Sequence, residues 1–408
     1  MSQDVSSVEM GCDAWEIFYR KTEKKSILVE KGRIKNISSE IEEGYAVRVI
    51  VNHRIGFAFS HDVREAFEKA IKVARVSGEE LSNFPEGGWT KVKGIYDARF
   101  ESIEADWLKT AAESLIMPCA EKSVNAAFGS IEVERVTTLI KNSSGFEKEK
   151  KETSCTAFIE AVYDGSSAYE YVQSRNLEID FESAGARAAE LAIQSKNPSK
   201  LEKPCSVVFD TLALNQILSY TLYQAISAEN FLKGRSPLKP GDFFGEITII
   251  DDATLPRGLN TVPFDDEGCK ATKKEIFCKG ELKTFISDYR NSLHLGIEAG
   301  NSFRDELTSY PTITPTNIVI KHKRSSDVES DALYVHSVIG AHTANPISGD
   351  FSVECMNAFY NGKPVKAMLY GNIYNALKKI ECIGKNTRQV DFTVSPPVRF
   401  CEGAIHIV

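Results

Sequence analysis

Residues 43–74, EGYAVRVIVNHRIGFAFSHDVREAFEKAIKVA, contain the change of periodicity that decides the fold class of this chain. The first part is rich in Val, Ile, Tyr and Phe around a turn signal at Asn52-His53, which predicts two strands, 44–51 and 54–59. From Asp62 the apolar residues instead recur three and four positions apart, which is the spacing of one helix face. Strands followed directly by an amphipathic helix predict a sheet covered by helices, and therefore an α+β fold.

The helix signal includes a start and a stop. Asp62 and Glu65 have capping-box spacing, and Gly78 is a natural C-terminal end. The apolar stripe between them consists of Val63, Ala66, Phe67, Ala70, Ile71 and Ala74. We therefore predict one helix that covers one face of an N-terminal β-meander.

Similar signals on both sides of this segment extend the pattern over the first half of the chain. The other predicted strands are 14–21, 25–30, 33–42, 130–141, 146–151, 153–163 and 167–174. Two more helices are predicted, at about 103–117, ended by Pro118, and at about 180–195. Turn signals also lie at Lys31-Gly32 and Glu43-Gly44. An N-terminal antiparallel sheet with helices follows from this order of elements.

The second half of the chain has a different pattern. The polar segment 196–204, with a proline near each end, predicts a domain boundary between residues 1–196 and residues 205–408. After a strand at 206–209 and a helix at about 212–229, the pattern is mostly strand and loop, with one more helix near 371–380. We expect a mostly β C-terminal domain with few helices.

The composition is that of a globular protein with more than one domain. Of its 408 residues, 42% are hydrophobic and 26% are charged. The formal net charge is −8, whereas proteins that bind nucleic acids usually present a basic face to the phosphates. DNA and RNA are therefore disfavoured as partners.

Location and redox state are predicted from the same sequence. Apolar runs such as Ile247-Thr248-Ile249-Ile250 are strand-sized, so no membrane span is expected. Residues 1–7 have neither a basic start nor an apolar stretch, which predicts no signal peptide and a cytoplasmic protein. The nine cysteines include no Cys-x-x-Cys pair, which favours buried reduced thiols.

Common catalytic motifs are missing. The chain contains no glycine-rich phosphate loop, no Gly-x-Ser-x-Gly elbow and no His-Glu-x-x-His. Among its seven histidines, His336 and His342 are the closest pair of interest. On a continuous strand they would lie about 20 Å apart, too far to share a metal unless the chain turns at Gly340. We expect His342 to be a hydrogen-bonding residue in a polar loop.

Two segments stand out chemically. In Pro263–Gly268, the neighbouring Asp265, Asp266 and Glu267 are either acid–base groups or, more commonly for such a run, a solvated turn or a set of loop-ordering acceptors. In His342–Ser352, a run of small polar residues offers many donors and acceptors. It is equally consistent with a groove for a peptide backbone and with an ordinary structured turn.

Together these and other segments resemble the TldD/PmbA family. The motifs are Asn142-Ser-Ser-Gly145, Val262-Pro-Phe-Asp-Asp-Glu-Gly268, Lys279-Gly-Glu-Leu282, Gly300-Asn-Ser-Phe-Arg304, Gly340-Ala-His-Thr-Ala-Asn345, Ser348-Gly-Asp-Phe-Ser352 and Tyr370-Gly-Asn372. They are densest from about residue 205 onward. One departure is Glu298-Ala299, where the family often has Ser-Thr.

The resemblance implies a particular branch. TldD-type subunits bind zinc through His-Glu-x-x-x-His on the first helix of the C-terminal domain and a cysteine near the C-terminus. The matching segment here, Ser219–Asn230, reads SYTLYQAISAEN and contains no histidine. Cys382-Ile-Gly-Lys385 is only a loose echo of the cysteine motif, and one thiolate cannot form a three-ligand site. The chain is similar to the TldE/PmbA branch, so no catalytic residue, metal or cofactor is expected.

This branch implies a non-catalytic subunit that shapes a peptide cavity for a TldD-type zinc partner. We expect unfolded peptides as substrate, and a heterodimer, a homodimer or both. The candidate cavity or partner residues are Asp265, Asp266, Glu267, Asn301, Arg304, His342, Asn345, Asp350 and Ser352. Two alternatives are an independent peptide-binding or scaffolding homodimer, and a metal-independent hydrolase that uses Asp265, Asp266, Glu267 and His342.

Overall fold

The computed structural model describes residues 11–201 and 203–408. Residues 1–7, on which the signal-peptide prediction rests, and Glu202 in the predicted linker lie outside these ranges. The strands in them, β1 to β23, are Ala14–Glu30, Arg33–Val51, Arg54–Ser60, Asn125–Asn142, Glu147–Tyr163, Ser166–Ser174, Ser199–Lys200, Ser206–Phe209, Ile247–Asp252, Lys273–Cys278, Glu281–Leu282, Ser302–Phe303, Thr312–Ile313, Ile318–His322, Ala332–Ile339, Asp350–Tyr360, Lys363–Lys366, Met368–Asn372, Ile380–Ile383, Arg388–Val390, Thr393–Ser395, Val398–Phe400 and Ile405–Ile407. The helices α1 to α8 are Val63–Ala74, Ala105–Glu121, Phe181–Gln194, Thr211–Tyr220, Leu222–Ala225, Ala228–Leu232, Tyr289–Leu295 and Ile373–Leu377, and short 3-10 turns lie at Ala98–Ser102 and Ala341–Thr343.

The first half forms one antiparallel sheet in the order β3-β2-β1-β4-β5-β6. Helix α1 begins as predicted, since the Asp62 carboxylate accepts a hydrogen bond from the Glu65 N–H. Its predicted apolar stripe is buried against Trp15, Val47 and Val49 of the sheet. Helices α2 and α3 cover another part of the same sheet through a second apolar cluster.

The strands of this sheet are longer than predicted. The separate strands predicted at 33–42 and 44–51 form one strand, β2, and the turn predicted at Glu43-Gly44 is wrong. Gly44 pairs with Arg20 inside the sheet. A Cβ on Gly44 would lie 2.7 Å from the Phe59 ring, so this glycine permits close packing and does not mark a turn. The strands predicted at 14–21 and 25–30, and at 146–151 and 153–163, also merge, into β1 and β5.

Helix α2 does not end before Pro118 as predicted but continues to Glu121. Both Pro118 and Cys119 are buried. Gly185 of α3 lies so close to this turn that a Cβ there would lie 2.0 Å from the Leu115 carbonyl oxygen. Tight packing between the two helices therefore holds the last turn of α2 despite the missing N–H of the proline.

The second half is mostly strands, as predicted. One mixed sheet has the order β11-β10-β9-β14-β21-β20, and a larger one has the order β19-β22-β8-β15-β16-β17-β7, with β18 and β23 attached through β16. One large apolar cluster fills the space between these sheets and α4 to α6. The α+β class with an N-terminal antiparallel sheet and a mostly β second half is confirmed. The helix predicted near 371–380 is shorter, only α8, because β18 and β19 flank it.

The predicted domain boundary stays a prediction. Within the predicted linker 196–204, Ser199–Lys200 forms strand β7, which pairs in parallel with β17 at the edge of the larger second-half sheet. Leu201 is buried in the apolar cluster of the second half. This part of the linker is therefore packed structure and belongs with the second half.

The helix predicted at 212–229 is broken into α4, α5 and α6. Thr221 is the first break, where the side-chain hydroxyl bonds back to the Ile217 carbonyl oxygen. At the second break the backbone pairs with Ile286, which accepts from the Ala228 N–H and donates to the Ile226 carbonyl oxygen. Among the helices of the described ranges, none combines the length and apolarity that crossing a bilayer requires.

Candidate functional site

The N-terminal sheet has one apolar face and one charged face. Alternation along β1 directs Trp15 and Ile17 toward the helices, and Glu16 and Arg20 toward the loops of the second half. Glu16 is directly opposite Arg48 on β2. We use the name charge cluster for Glu16, Arg20, Arg48, Lys150, Asp266, Glu267 and Arg304, which lie where this face meets the loops 263–269 and 300–304. The fold thereby brings five N-terminal and C-terminal elements to one charged interface.

Asp265 orders its own loop. Its carboxylate accepts hydrogen bonds from the N–H groups of Glu267, Cys269 and Ser302 at 2.8 to 3.0 Å. The side chain is fully buried, and burial together with the charge of Glu267 raises the pKa of Asp265 well above its usual range. The prediction of loop-ordering acceptors describes Asp265, whereas a solvated turn is wrong for all three carboxylates because each is buried.

Asp266 joins the two halves of the chain through cations. It lies 3.1 Å from Arg20 and 3.2 Å from Lys150, and it also accepts the Arg304 N–H at 3.0 Å. Burial alone would raise the pKa of Asp266, but the charges of Lys150 and Arg20 outweigh it, and the pKa is lowered. Asp266 is therefore held ionised in the folded protein.

Arg48 holds two buried carboxylates at once. It forms a bidentate pair with Glu16 at 2.7 and 2.9 Å, and its third nitrogen lies 2.7 Å from Glu267. The rings of Phe84 and Tyr310 lie 5.3 and 5.5 Å from the guanidinium carbon. Every nitrogen of this buried guanidinium has a charged partner, which is the arrangement that offsets its desolvation.

Arg304 is less well satisfied. It donates to the Ser309 carbonyl oxygen at 2.7 Å, but its Nε and Nη2 make no hydrogen bond, and Nη2 lies 3.5 Å from Glu16. Burial and the neighbouring charges of Arg48 and Arg20 lower the pKa of Arg304 to about 10. The charge cluster therefore contains buried donor capacity that its own carboxylates do not use.

Asn301 has a separate role beside the cluster. Its amide nitrogen donates to Asp251 at 2.7 Å, and its amide oxygen accepts from Lys274 at 2.7 Å. Asp251 in turn accepts from the N–H and hydroxyl of Thr316. Asn301 thus ties the loop 300–304 to β9 and β10.

The remaining predicted residues form a second group on the surface. His342, Asn345, Asp350 and Ser352 are all exposed. The Asn345 side chain caps the turn by accepting from the N–H groups of Ile347 and Ser348, and Asp350 accepts from Asn372 at 2.8 Å. Within the described ranges no hydrogen bond or ion pair links this group to the charge cluster. The predicted site residues are therefore two separate sets.

The chain does turn at Gly340, with φ of 93°, but this does not create a histidine pair that fits a metal. His336 is buried in β15 and its Nε2 lies 3.3 Å from the Tyr169 carbonyl oxygen, whereas His342 is exposed. The expected hydrogen bond of His342 stays a prediction.

Within residues 11–201 and 203–408, the side chains of Asp265, Glu267 and Cys269 lie close enough together to suggest a metal. Its donors do not fit one. The Asp265 oxygens accept three backbone N–H groups, and the Glu267 oxygens are bound to Arg48 and to the Tyr289 N–H. A cation would have to displace these bonds next to the charge of Arg48, which opposes it electrostatically.

Three cavities adjoin the charge cluster. The inner cavity, of about 180 Å³, is lined by Asp266 and Arg304 among others, and the outer cleft, of about 570 Å³, shares with it a wall of Arg20, Glu152, Arg175, Asn260 and Phe392. The side cavity, of about 580 Å³, is lined by Arg48, Glu267 and Asp288. Asp265 and Asn301 line none of these three. Of the carboxylates that the sequence singled out, Asp266 and Glu267 therefore each line a cavity.

Sequence reasoning identified Arg304 among the cations of the cluster but missed Arg20, Arg48 and Lys150, and it also missed Glu16 and Asp288. Arg20, Arg48 and Lys150 lie in strands whose alternation places them opposite the buried apolar residues, so strand periodicity could have marked their face. It could not have shown that this face is covered by Asp266 and Glu267, which lie 116 to 246 positions away from these cations. Asp288, the N-cap of α7, had a sequence signal in the helix that follows it.

Models of known families match almost the whole chain. The PmbA/TldA metallopeptidase C-terminal domain matches residues 202–406, domain 1 matches 15–75 and the central domain matches 99–196. This chain belongs to the PmbA/TldD metallopeptidase family. The family predicted from the motifs is confirmed.

Relatives in this family extend over nearly the full length. An uncharacterized protein of Methanocaldococcus jannaschii is 33% identical over 94% of both chains, and a protein of Methanothermobacter thermautotrophicus named as a metalloprotease is 23% identical over 89% of this chain and 86% of its own. Among solved structures, TldE from Thermococcus kodakarensis is 24% identical with a TM-score of 0.90, and each chain is covered to 98%. This fold agrees with the predicted TldE/PmbA branch.

The places where a zinc-binding member of the PmbA/TldD family would carry its ligands have other chemistry here. Ser219–Asn230 contains no histidine and spans both helix breaks. Tyr223 in this segment is buried and hydrogen-bonded to Thr393. Cys382 lies in a small apolar cluster with Val208 and others. These residues do not fit a zinc site, since a structural or catalytic zinc needs at least three ligand side chains.

Asp288 gives a pH-dependent prediction. Burial, followed by the charge of Glu267, raises its pKa to about 6, against about 3.9 in an unfolded chain. Between these values the folded chain keeps a proton that the unfolded chain has lost. The contribution of Asp288 to the free energy of unfolding is therefore fully present below about pH 4 and is lost as the pH rises to about 6.

We expect Asp288→Asn to become more stable relative to the wild type as the pH rises from 4 to 7, because asparagine keeps the N-cap bond to the Asn291 N–H without the charge. Urea unfolding of both proteins at several pH values measures this. Asp62→Asn, the same exchange at the exposed N-cap of α1, is the matched control. A stability difference for Asp288→Asn that does not change with pH contradicts the prediction.

Proposed function

We propose that this chain is the non-catalytic subunit of a heteromeric zinc metallopeptidase that processes or degrades unfolded peptides in the cytoplasm. A TldD-type partner supplies the zinc and the catalytic residues. The proposal rests on the segment Ser219–Asn230. This chain has the fold of the family, but the segment contains no histidine that could bind zinc. Several relatives are named metalloproteases, and one is named a zinc metalloprotease TldD homolog. These names support a role connected with a zinc peptidase.

The three cavities support a role in holding peptide. The walls of the inner cavity and the outer cleft offer charged groups, side-chain amides and hydroxyls, and a peptide backbone needs such donors and acceptors. The exposed segment that contains His342, Asn345, Asp350 and Ser352 is the part of the predicted set available to a partner subunit, and we assign it that role within the proposal.

The metal-independent hydrolase is less well supported. An acid–base carboxylate needs a free oxygen toward substrate, whereas the oxygens of Asp265 and Glu267 are committed to N–H groups and to Arg48. The exposed His342 has no hydrogen bond or ion pair to these carboxylates within the described ranges. A nucleic-acid partner is disfavoured by the net charge of −8.

Co-expression tests the proposal. We expect this chain to co-purify with a relative that carries His-Glu-x-x-x-His, and we expect the pair to hydrolyse unfolded peptides in a way that the zinc relative alone does not. A pair that separates during purification, together with unchanged proteolysis, contradicts the proposal. Peptide binding by this chain that is indifferent to the zinc relative would instead support an independent scaffolding homodimer.

A further inference from the structure

The inner cavity has an excess of positive charge. Four cationic side chains line it, Arg20, Lys150, Arg175 and Arg304, against two carboxylates, Glu152 and Asp266. Lys150 and Arg304 are almost completely buried. Lys150 lies 3.2 Å from Asp266, and Arg304 lies 3.5 Å from Glu16, a carboxylate that already pairs with Arg48. The excess of positive charge is therefore shared among the four cations, of which Arg20, beside Asp266, and Arg175, beside Glu152, border both the inner cavity and the outer cleft.

These two arginines have hydrogen-bonding capacity to offer. Arg20 pairs with Asp266 through Nη2 and donates from Nη1 to the Arg304 carbonyl oxygen at 3.3 Å, and its buried Nε has no hydrogen bond. Arg175 contacts Glu152 and three carbonyl oxygens, but all four distances are 3.3 to 3.5 Å. Good N–H···O bonds are about 2.7–3.2 Å long, so an anion in the cavity could replace these contacts with shorter ones.

The outer cleft has the opposite charge. Its walls carry the carboxylates of Glu42, Glu134, Glu152, Asp305, Glu306 and Asp391, against the guanidinium groups of Arg20 and Arg175. A polyanion such as a nucleotide would be repelled by this neighbouring cleft, whereas a chain with amines along its length would be attracted. The inner cavity, at about 180 Å³, is also smaller than the range of about 300–1,000 Å³ that encloses drug-sized ligands.

We propose that the inner cavity binds the C-terminal carboxylate of a peptide, held by Arg20 and Arg175, while basic side chains earlier in the peptide lie along the acidic outer cleft. This inference rests on the proposed function in one respect, namely that the ligand is a peptide. It further states that the C-terminal end of the peptide is recognised and that peptides with cationic side chains are preferred.

Fluorescence anisotropy with matched peptides tests the site on the full chain. The probe is an unstructured, lysine-containing hexapeptide labelled at its N-terminus, as the free acid and as the C-terminal amide. Loss of one charge-assisted contact predicts that the amide binds about tenfold more weakly or worse. Sodium acetate and inorganic phosphate, added as competitors, distinguish a peptide site from a site for small anions.

Two variants locate the effect, and their folding is checked by thermal unfolding. Arg20→Gln removes a cation from the cavity, and Thr314→Glu adds a carboxylate to its wall. Both are expected to reduce the binding of the free acid to that of the amide. Arg33→Gln, which changes an exposed arginine in the β1–β2 hairpin, is expected to keep the preference for the free acid.

The inference is overturned if the free acid and the amide bind equally or if neither binds. It is also overturned if acetate or phosphate displaces the peptide when added at the concentration at which the peptide binds. Equal binding would leave the proposed peptide cavity intact. Failure of the proposed function itself is recognised separately, by the lack of co-purification with a zinc relative.

Discussion

Arg48→Met is expected to lower the free energy of unfolding by about 3–5 kcal/mol, because it leaves two buried carboxylates without their cation. Glu16 and Glu267 are both buried and both lie 2.7 Å from Arg48. Arg304 remains 3.5 Å from Glu16, too far to form a hydrogen bond that would compensate. Methionine preserves much of the apolar contact with Phe84, so the loss reports mainly on charge.

Equilibrium urea unfolding at pH 7 measures this effect. The matched control is Arg54→Met, at an exposed arginine on the neighbouring strand β3, which is expected to change stability by less than about 0.5 kcal/mol. A loss below about 1 kcal/mol for Arg48→Met would contradict the account, since it would mean that the charge cluster does not hold the two halves of the chain together.

Gly56→Ala is expected to cost about 1–3 kcal/mol, because it introduces a methyl group where helix α1 meets β3. A Cβ at this position would lie 2.0 Å from the Ala70 carbonyl oxygen and 2.5 Å from the Ala74 nitrogen. These are backbone atoms, so the whole helix must move away from the sheet. The apolar contacts of α1 with the sheet would loosen with it.

Gly78→Ala is the matched control, since a Cβ there meets nothing within 4 Å. The same chemical change is expected to be neutral at Gly78 or to stabilise slightly by restricting the unfolded chain. Thermal or urea unfolding compares the two variants. Equal effects at both positions would show that close packing at Gly56 does not hold α1 in place.

Elements with local signals could be predicted from the sequence. Helix α1 carries its cap at Asp62 and its apolar stripe within a few residues, and both are as expected. Glycine was less informative, since Gly44 signals a turn in sequence but permits the approach of Phe59 inside a long strand. The break at Ile226–Ala228 depends on Ile286, a partner that no local pattern identifies.

The candidate site shows the same division. The carboxylates of 265–267 could be found as an unusual run, and the family motifs directed attention to them. Their burial could not be predicted, because it depends on pairs such as Arg20 with Asp266 and Arg48 with Glu267, which are 246 and 219 residues apart. From the sequence alone, a run of acidic residues is predicted to be exposed to solvent unless the distant cations that pair with it are known.

Native mass spectrometry of this chain co-expressed with a zinc relative tests the central claim most directly, because it reports both assembly and metal content. The account predicts a complex of the two chains that contains one zinc ion for each copy of the relative and none for this chain. Measured by itself, this chain should have its zinc-free mass. Stoichiometric zinc on this chain, or no complex between the two, would contradict it.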